Sequence, residues 1–125
     1  MTPEQLAKAG TEHAHQVALM CWAAMHFTTY PKLEKLFAIP NGGERNIAVA
    51  SRLKAEGVKS GVPDLFLPVA RHGFHGLFIE MKKPKGTIGP NQPKWEAYVK
   101  EEGYAHLYAY HWEQAASALE WYLTE

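Results

Sequence analysis

Cysteine is almost absent from this 125-residue chain, and so is any excess of charge. The single cysteine, Cys21, excludes an intramolecular disulfide framework and a Cys-rich zinc site. Inside the apolar run 17–27 it reads as a buried thiol. Thirteen basic residues face thirteen acidic ones. That balance argues against a protein that coats nucleic acid indiscriminately, but it leaves room for a local basic groove. The apolar run falls short of the roughly 20 residues a membrane span needs. Glu4 and the late position of that run speak against a secretion signal, so a soluble protein of a reducing compartment is expected. Repeats, low-complexity tracts and linkers are also missing. With 46% hydrophobic and 12% aromatic residues, the chain has material for one core and too little for two, so residues 1–125 are expected to form one domain.

Thr2-Pro3-Glu4 starts a helix, with Thr2 as its cap and Pro3 in the first turn. This helix is predicted to run to about residue 27, apolar nearly all round in its second half, before Pro31 ends the stretch. A short strand at 36–39 is closed by Pro40-Asn41-Gly42-Gly43. Ile47, Ala50 and Leu53 recur at helical spacing within a helix at 44–56, which Gly57 stops. Strands at 64–69 and 77–82 flank a turn-rich segment and pair as a hairpin. Two prolines and two glycines make 83–91 a loop. A helix at 92–102, a strand at 105–110 and an amphipathic helix at 112–123 complete the order α-β-α-β-β-α-β-α. That order implies an α/β fold, a mixed sheet with helices on both faces.

Alternate side chains of a strand share a face. Glu80 and Lys82 therefore point one way, and Leu77, Ile79 and Met81 the other. The hairpin partner brings Asp64 beside Glu80. Two carboxylates so close repel unless positive charge lies between them, and all-oxygen ligands suit Mg²⁺ or Mn²⁺. Lys82 stands one strand step away, placed to hold or help deprotonate an attacking water. Alone, Glu-x-Lys on a strand is a solvated pair and Pro-Asp is a turn. Together, with fifteen residues of one hairpin between Asp64 and Glu80 and beside the apolar run 77–79, these charges need a reason. Of the seven histidines, His13 and His15 point in different directions and make no zinc pair, while His72 and His75 bracket the hairpin turn. Trp112, Leu119, Trp121 and Tyr122 read as core or interface.

Pro63-Asp64 followed by Glu80-Met81-Lys82 resembles the PD-(D/E)xK nuclease signature. Glu12 with Gln16, the loop Asn41-Gly42-Gly43 with Arg45, Gly57 before Gly61-Val62-Pro63-Asp64, and Gln92 after the Glu-x-Lys resemble one branch of it, the VRR-NUC domain, across residues 12–123. The resemblance implies a restriction-endonuclease-like fold and an endonuclease that cuts DNA internally with Mg²⁺ or Mn²⁺. Compact stand-alone members resemble phage or bacterial replication and repair enzymes acting on branched DNA, including four-way (Holliday) junctions, in the cytoplasm of a bacterial or phage-infected cell. It further implies Asp64, Glu80 and the Met81 carbonyl as metal ligands, with Glu12 reaching the metal directly or through water. Lys82 would position the nucleophilic water, Gln92 would orient a side chain or the scissile phosphate, and Gln16 would line the site. One departure is Gly89-Pro90-Asn91 before Gln92, where a Ser is expected.

Candidates for DNA contact are Arg45, Arg52, Lys54, Lys59, Lys83, Lys85 and Lys94. The run Lys82-Lys83-Pro84-Lys85 reads as phosphate-contacting rather than as a nuclear-localisation signal. The rival reading is a module that keeps the fold and only binds DNA or protein. The joint presence of Asp64, Glu80 and Lys82 disfavours it, and metal-dependent cleavage separates the two. A hydrolase of small phosphate esters lacks a recognisable base pocket. Fifteen aromatic residues and an apolar helix half that one sheet and four short helices would not cover predict a homodimer, whose paired sites suit a four-way junction.

Overall fold

In the computed structural model, residues 1–40 and 46–124 are described. Asn41, Gly42, Gly43 and Arg45 lie outside them. Thr2 Oγ1 accepts the Gln5 N–H while Gln5 Oε1 accepts the Thr2 N–H, a reciprocal cap that starts helix α1 (Pro3–Leu6). The long first helix expected from the sequence does not follow. A 3₁₀ turn, Ala7–Ala9, ends at Gly10 in the left-handed region with φ 76°, and Thr11 then caps a second helix, α2 (Glu12–Met25). The Thr11 hydroxyl accepts the Ala14 N–H at 3.0 Å. Gly10-Thr11 thus stops one helix and starts another, and the apolar spacing beyond it hides that break.

A 3₁₀ turn, Pro31–Lys35, leads to β1 (Phe37–Ala38), followed by α3 (Ile47–Ala55), β2 (Leu65–Leu67), β3 (Leu77–Met81), α4 (Gln92–Glu101), β4 (Ala105–Ala109) and α5 (Trp112–Leu123). Among the described residues these strands form one sheet, ordered β1-β2-β3-β4. The first two pairings are antiparallel and β3–β4 is parallel. A parallel neighbour needs a crossover, and α4 supplies it.

The two faces of β3 do different work. Leu77, Ile79 and Met81 join Leu65, Leu67 and Ala109 in the core that α2 and α5 cover, with Leu19, Leu119 and Tyr122 fully buried. On the other face the Phe78 ring touches Phe66 and Tyr104, and His106 Nδ1 lies 3.9 Å from Glu96 of α4. Helices therefore lie on both faces, as the element order implies. The Trp112 N–H donates to His15 Nδ1 at 3.0 Å, tying α5 to α2. Burial first, then His111, lowers the pKa of His15, which suits a neutral acceptor.

Ala18, Leu19 and Ala23 of α2 are fully buried, so one side of its apolar half is core, while Val17 and Met25 on the same helix stay exposed. Uncovered apolar surface also lies on α5, where Trp121 is 60% exposed. Among the described residues, no helix is long and apolar enough to cross a membrane.

Candidate active site

The β2–β3 register pairs Leu65 with Ile79, which carries Asp64, just before β2, alongside Glu80. Asp64 Oδ2 accepts the Met81 N–H at 2.8 Å. Its main-chain carbonyl accepts the Ile39 N–H at 2.7 Å, so the chain just beyond β1 fixes it from the opposite side. A strand residue sends its N–H and C=O out on the same side. The Met81 carbonyl therefore leaves β3 toward Asp64. The Lys82 N–H goes the other way, to the Ala109 carbonyl at 2.7 Å.

Glu80 is 2% exposed and Lys82 3%. Burial first, then a hydrogen bond to Asp64 and the Asp64 charge, pushes the Glu80 carboxyl up to about 10. Lys82 works against that rise and Glu12 adds to it, so all four groups feel one another. Glu80 Oε1 is buried with no hydrogen-bond partner. Leaving such a group unpaired costs about 1–3 kcal/mol, more if it is charged, and native proteins keep few of them without cause.

Glu12 and Gln16, one turn apart on α2, line a cleft of about 420 Å³ together with Asp64, His13 and the β1 end at Ile39 and Pro40. The structure thus places Glu12, Gln16, Asp64, Glu80, Met81 and Lys82 near one another. It adds His13, which sequence reasoning discards as a zinc ligand. The available signal is its place beside Glu12, in the first turn of a helix that Thr11 caps.

Gln92 differs. Its Oε1 accepts the Gly89 N–H at 2.8 Å and folds the 83–91 loop onto the start of α4, so its hydrogen bond goes to the loop and not to the carboxylates. Asn91, in the place of the expected Ser, makes no side-chain cap. Its Nδ2 instead reaches Ser60 Oγ at 3.3 Å, and Gly61, at φ 85°, packs so tightly on it that a Cβ there would meet Asn91 Cβ at 2.6 Å. Lys54, Lys59 and Lys94 gather at this junction. Arg52 on α3 and Lys83 and Lys85 on the loop are exposed. Arg45 lies outside the described residues.

Among the described residues, no three His, Cys, Asp or Glu side chains form a metal-binding group. A cation here would be held by Asp64, Glu80 and the Met81 carbonyl, with Glu12 outside that inner set. This donor set is hard oxygen throughout and leaves room for water, which fits Mg²⁺ or Mn²⁺. The unpartnered Glu80 Oε1 is the atom such an ion would satisfy.

Comparison with known proteins agrees with the fold. A solved structure described as a VRR_NUC domain protein is 30% identical and superposes with a TM-score of 0.76, covering 90% of this chain and 88% of that one. A comparison with curated proteins gives no match. Residues 2–110 match the VRR-NUC domain model, and the chain belongs to this family of nuclease domains.

Proposed function

We propose that this domain hydrolyses DNA phosphodiester bonds internally, at the site of Asp64, Glu80 and Lys82, with Mg²⁺ or Mn²⁺. The observation that carries this reading is the buried Glu80 carboxyl pressed against Asp64, with one oxygen left unpartnered. Such a pair holds together only around a proton or a cation. A divalent ion, when bound, lowers the pKa of adjacent water and offsets charge on the phosphate. The chain's own groups do the rest. The Met81 N–H pins Asp64 so that its carboxylate keeps its direction. Lys82 Nζ holds the attacking water and offsets its charge. Glu12 acts through water from α2, Gln16 and His13 line the approach, and Gln92 positions the loop beyond Lys82.

Incubation with linear duplex, single-stranded, flapped and four-way DNA, in Mg²⁺, Mn²⁺ or EDTA, tests this. Cleavage should require metal and favour branched substrates. No cleavage of any substrate would leave the rival, a binding module that retains the fold. A parallel measurement reads the metal directly: Mn²⁺ at about 100 times its Kd adds about 2.7 kcal/mol of stability by mass action. The melting temperature should rise in the intact protein and stay put in Asp64→Asn.

The enzyme is further proposed to act as a homodimer. Strand β4 ends the sheet of described strands, and Tyr104, Leu107, Ala118 and Trp121 line a mainly apolar groove of about 560 Å³ beside it. An edge strand with an apolar flank is a ready site for isologous pairing. Sedimentation at micromolar concentration should give twice the 14.1 kDa chain mass. A 14.1 kDa species that cuts four-way DNA would overturn the dimer and the pairing of its sites.

A further inference from the structure

A second cleft, of about 630 Å³, lies between α3, the turn at 57–60 and the start of α4. Ala50, Leu53 and Val58 form apolar wall, and Lys54, Lys59 and Lys94 supply three positive charges. Among the described residues its lining contains no carboxylate, in a chain whose formal net charge is zero. Trp95 lines it as well, with its indole held in place by the Nε1–H bond to the Ser60 carbonyl at 3.2 Å. Tyr98, 56% exposed, stands edge-on to Trp95 at 5.9 Å between ring centres and continues the surface past Lys94.

We propose that this cleft holds an unpaired strand of the DNA, with phosphates on Lys54, Lys59 and Lys94 and separate bases stacked on the two perpendicular rings of the Trp95–Tyr98 shelf. The inference rests on the nuclease reading only for the identity of the polymer. Three lysines without an acid complement a polyanion. Lysines alone would serve a duplex equally well. The aromatic shelf decides between the two, because a base inside a duplex has both faces covered by its neighbours, while an unpaired base offers a π-face to stack. The volume lies within the about 300–1,000 Å³ typical of ligand sites, room for a nucleotide-sized group.

The position suits a strand leaving the scissile site. Ser60, on the cleft wall, is four residues before Asp64, so the two are separated by at most about 14 Å, a span of a few nucleotides. Asn91 forms another part of the wall and adjoins Gln92, whose loop begins at Lys83. Strand and cut are thus joined by two short segments. The cleft would favour substrates with an unpaired arm or end next to the cleaved bond.

The test is binding of the full chain in EDTA, where no cleavage competes, by anisotropy of a labelled single-stranded oligothymidine and a duplex of equal length. Tyr98→Ala and Trp95→Ala should each weaken the single strand about tenfold, the scale of one lost stack, and leave the duplex within about twofold. Lys94→Glu should weaken it too and lower its salt dependence, which Tyr98→Ala should leave unchanged. Tyr98 is exposed, so its variant keeps the test decisive if Trp95→Ala fails to fold. Equal losses for single strand and duplex would reduce the cleft to a phosphate surface, and unchanged single-strand affinity in Tyr98→Ala and Lys94→Glu would remove it. Either result overturns the proposal. Because the readout needs neither metal nor catalysis, an inactive wild type with intact variant effects would count against the nuclease reading alone.

Discussion

Glu80→Gln is expected to abolish cleavage and, without metal, to raise the melting temperature. The loss should exceed about 10³-fold, the scale of removing a preorganised electrostatic stabiliser from a reaction centre. The stability gain follows from proton linkage. An unfolded Glu loses its proton near 4.5, while in the folded protein burial and Asp64 hold the Glu80 proton to about 10. Between those values the folded state carries a proton that the unfolded state lacks, so wild-type stability falls as pH rises through that window. Gln carries no such proton and keeps what the carboxyl loses. The gain should be visible at pH 8 and fade below pH 4.5. One kcal/mol corresponds to about 4 °C in a domain of this size, so even a modest difference is measurable by calorimetry. Saturating Mn²⁺ should erase or reverse the order, because only the wild type keeps the proposed carboxylate ligand. Wild-type cleavage by Glu80→Gln would remove the site, and an unchanged melting temperature at pH 8 would show that the carboxyl carries no such strain. A variant that is dead yet more stable is the trade expected where a buried carboxylate is kept for chemistry.

The residues that could be read from sequence share one property. Their relations are set by strand periodicity or by a single short connection. Glu80 and Lys82 share a face because strands alternate, and Asp64 meets Glu80 because one hairpin joins them. Glu12 and Gln16 share a face because they are one helical turn apart. What escaped depends on local backbone state or on distant packing. The left-handed Gly10 breaks the first helix with a single residue, against an apolar pattern that runs on beyond it. The partner of Gln92 is decided by how the 83–91 loop returns, and the Trp95–Ser60 bond spans 35 residues of chain. The bond of His15 to Trp112 spans 97. No periodicity reports contacts of that kind, so the groove at Trp95 appears only once α3, the 57–60 turn and α4 are placed together.

Lys82→Met is expected to leave the fold and part of the metal response intact while cleavage falls about 10²- to 10³-fold. The side chain is 3% exposed, and Met preserves most of its apolar stem in that space. The strand itself is held by the main-chain bond from Lys82 N–H to the Ala109 carbonyl, which the substitution does not touch. What changes is the charge beside Glu80. Lys82 opposes the rise in the Glu80 pKa, so its removal makes that carboxyl hold its proton harder. Metal binding must displace the proton, and the Mn²⁺ shift in melting temperature should shrink without vanishing. Lys82→Arg separates charge from geometry. If the lysine acts only as a positive neighbour, arginine should restore both the Mn²⁺ shift and cleavage. If Nζ holds the attacking water, arginine should restore the shift and leave cleavage low, because its planar fork cannot place a donor where the compact ammonium does. Cleavage by Lys82→Met at the wild-type rate would remove Lys82 from the reaction, and loss of the Mn²⁺ shift with collapse of the fold would make its role structural.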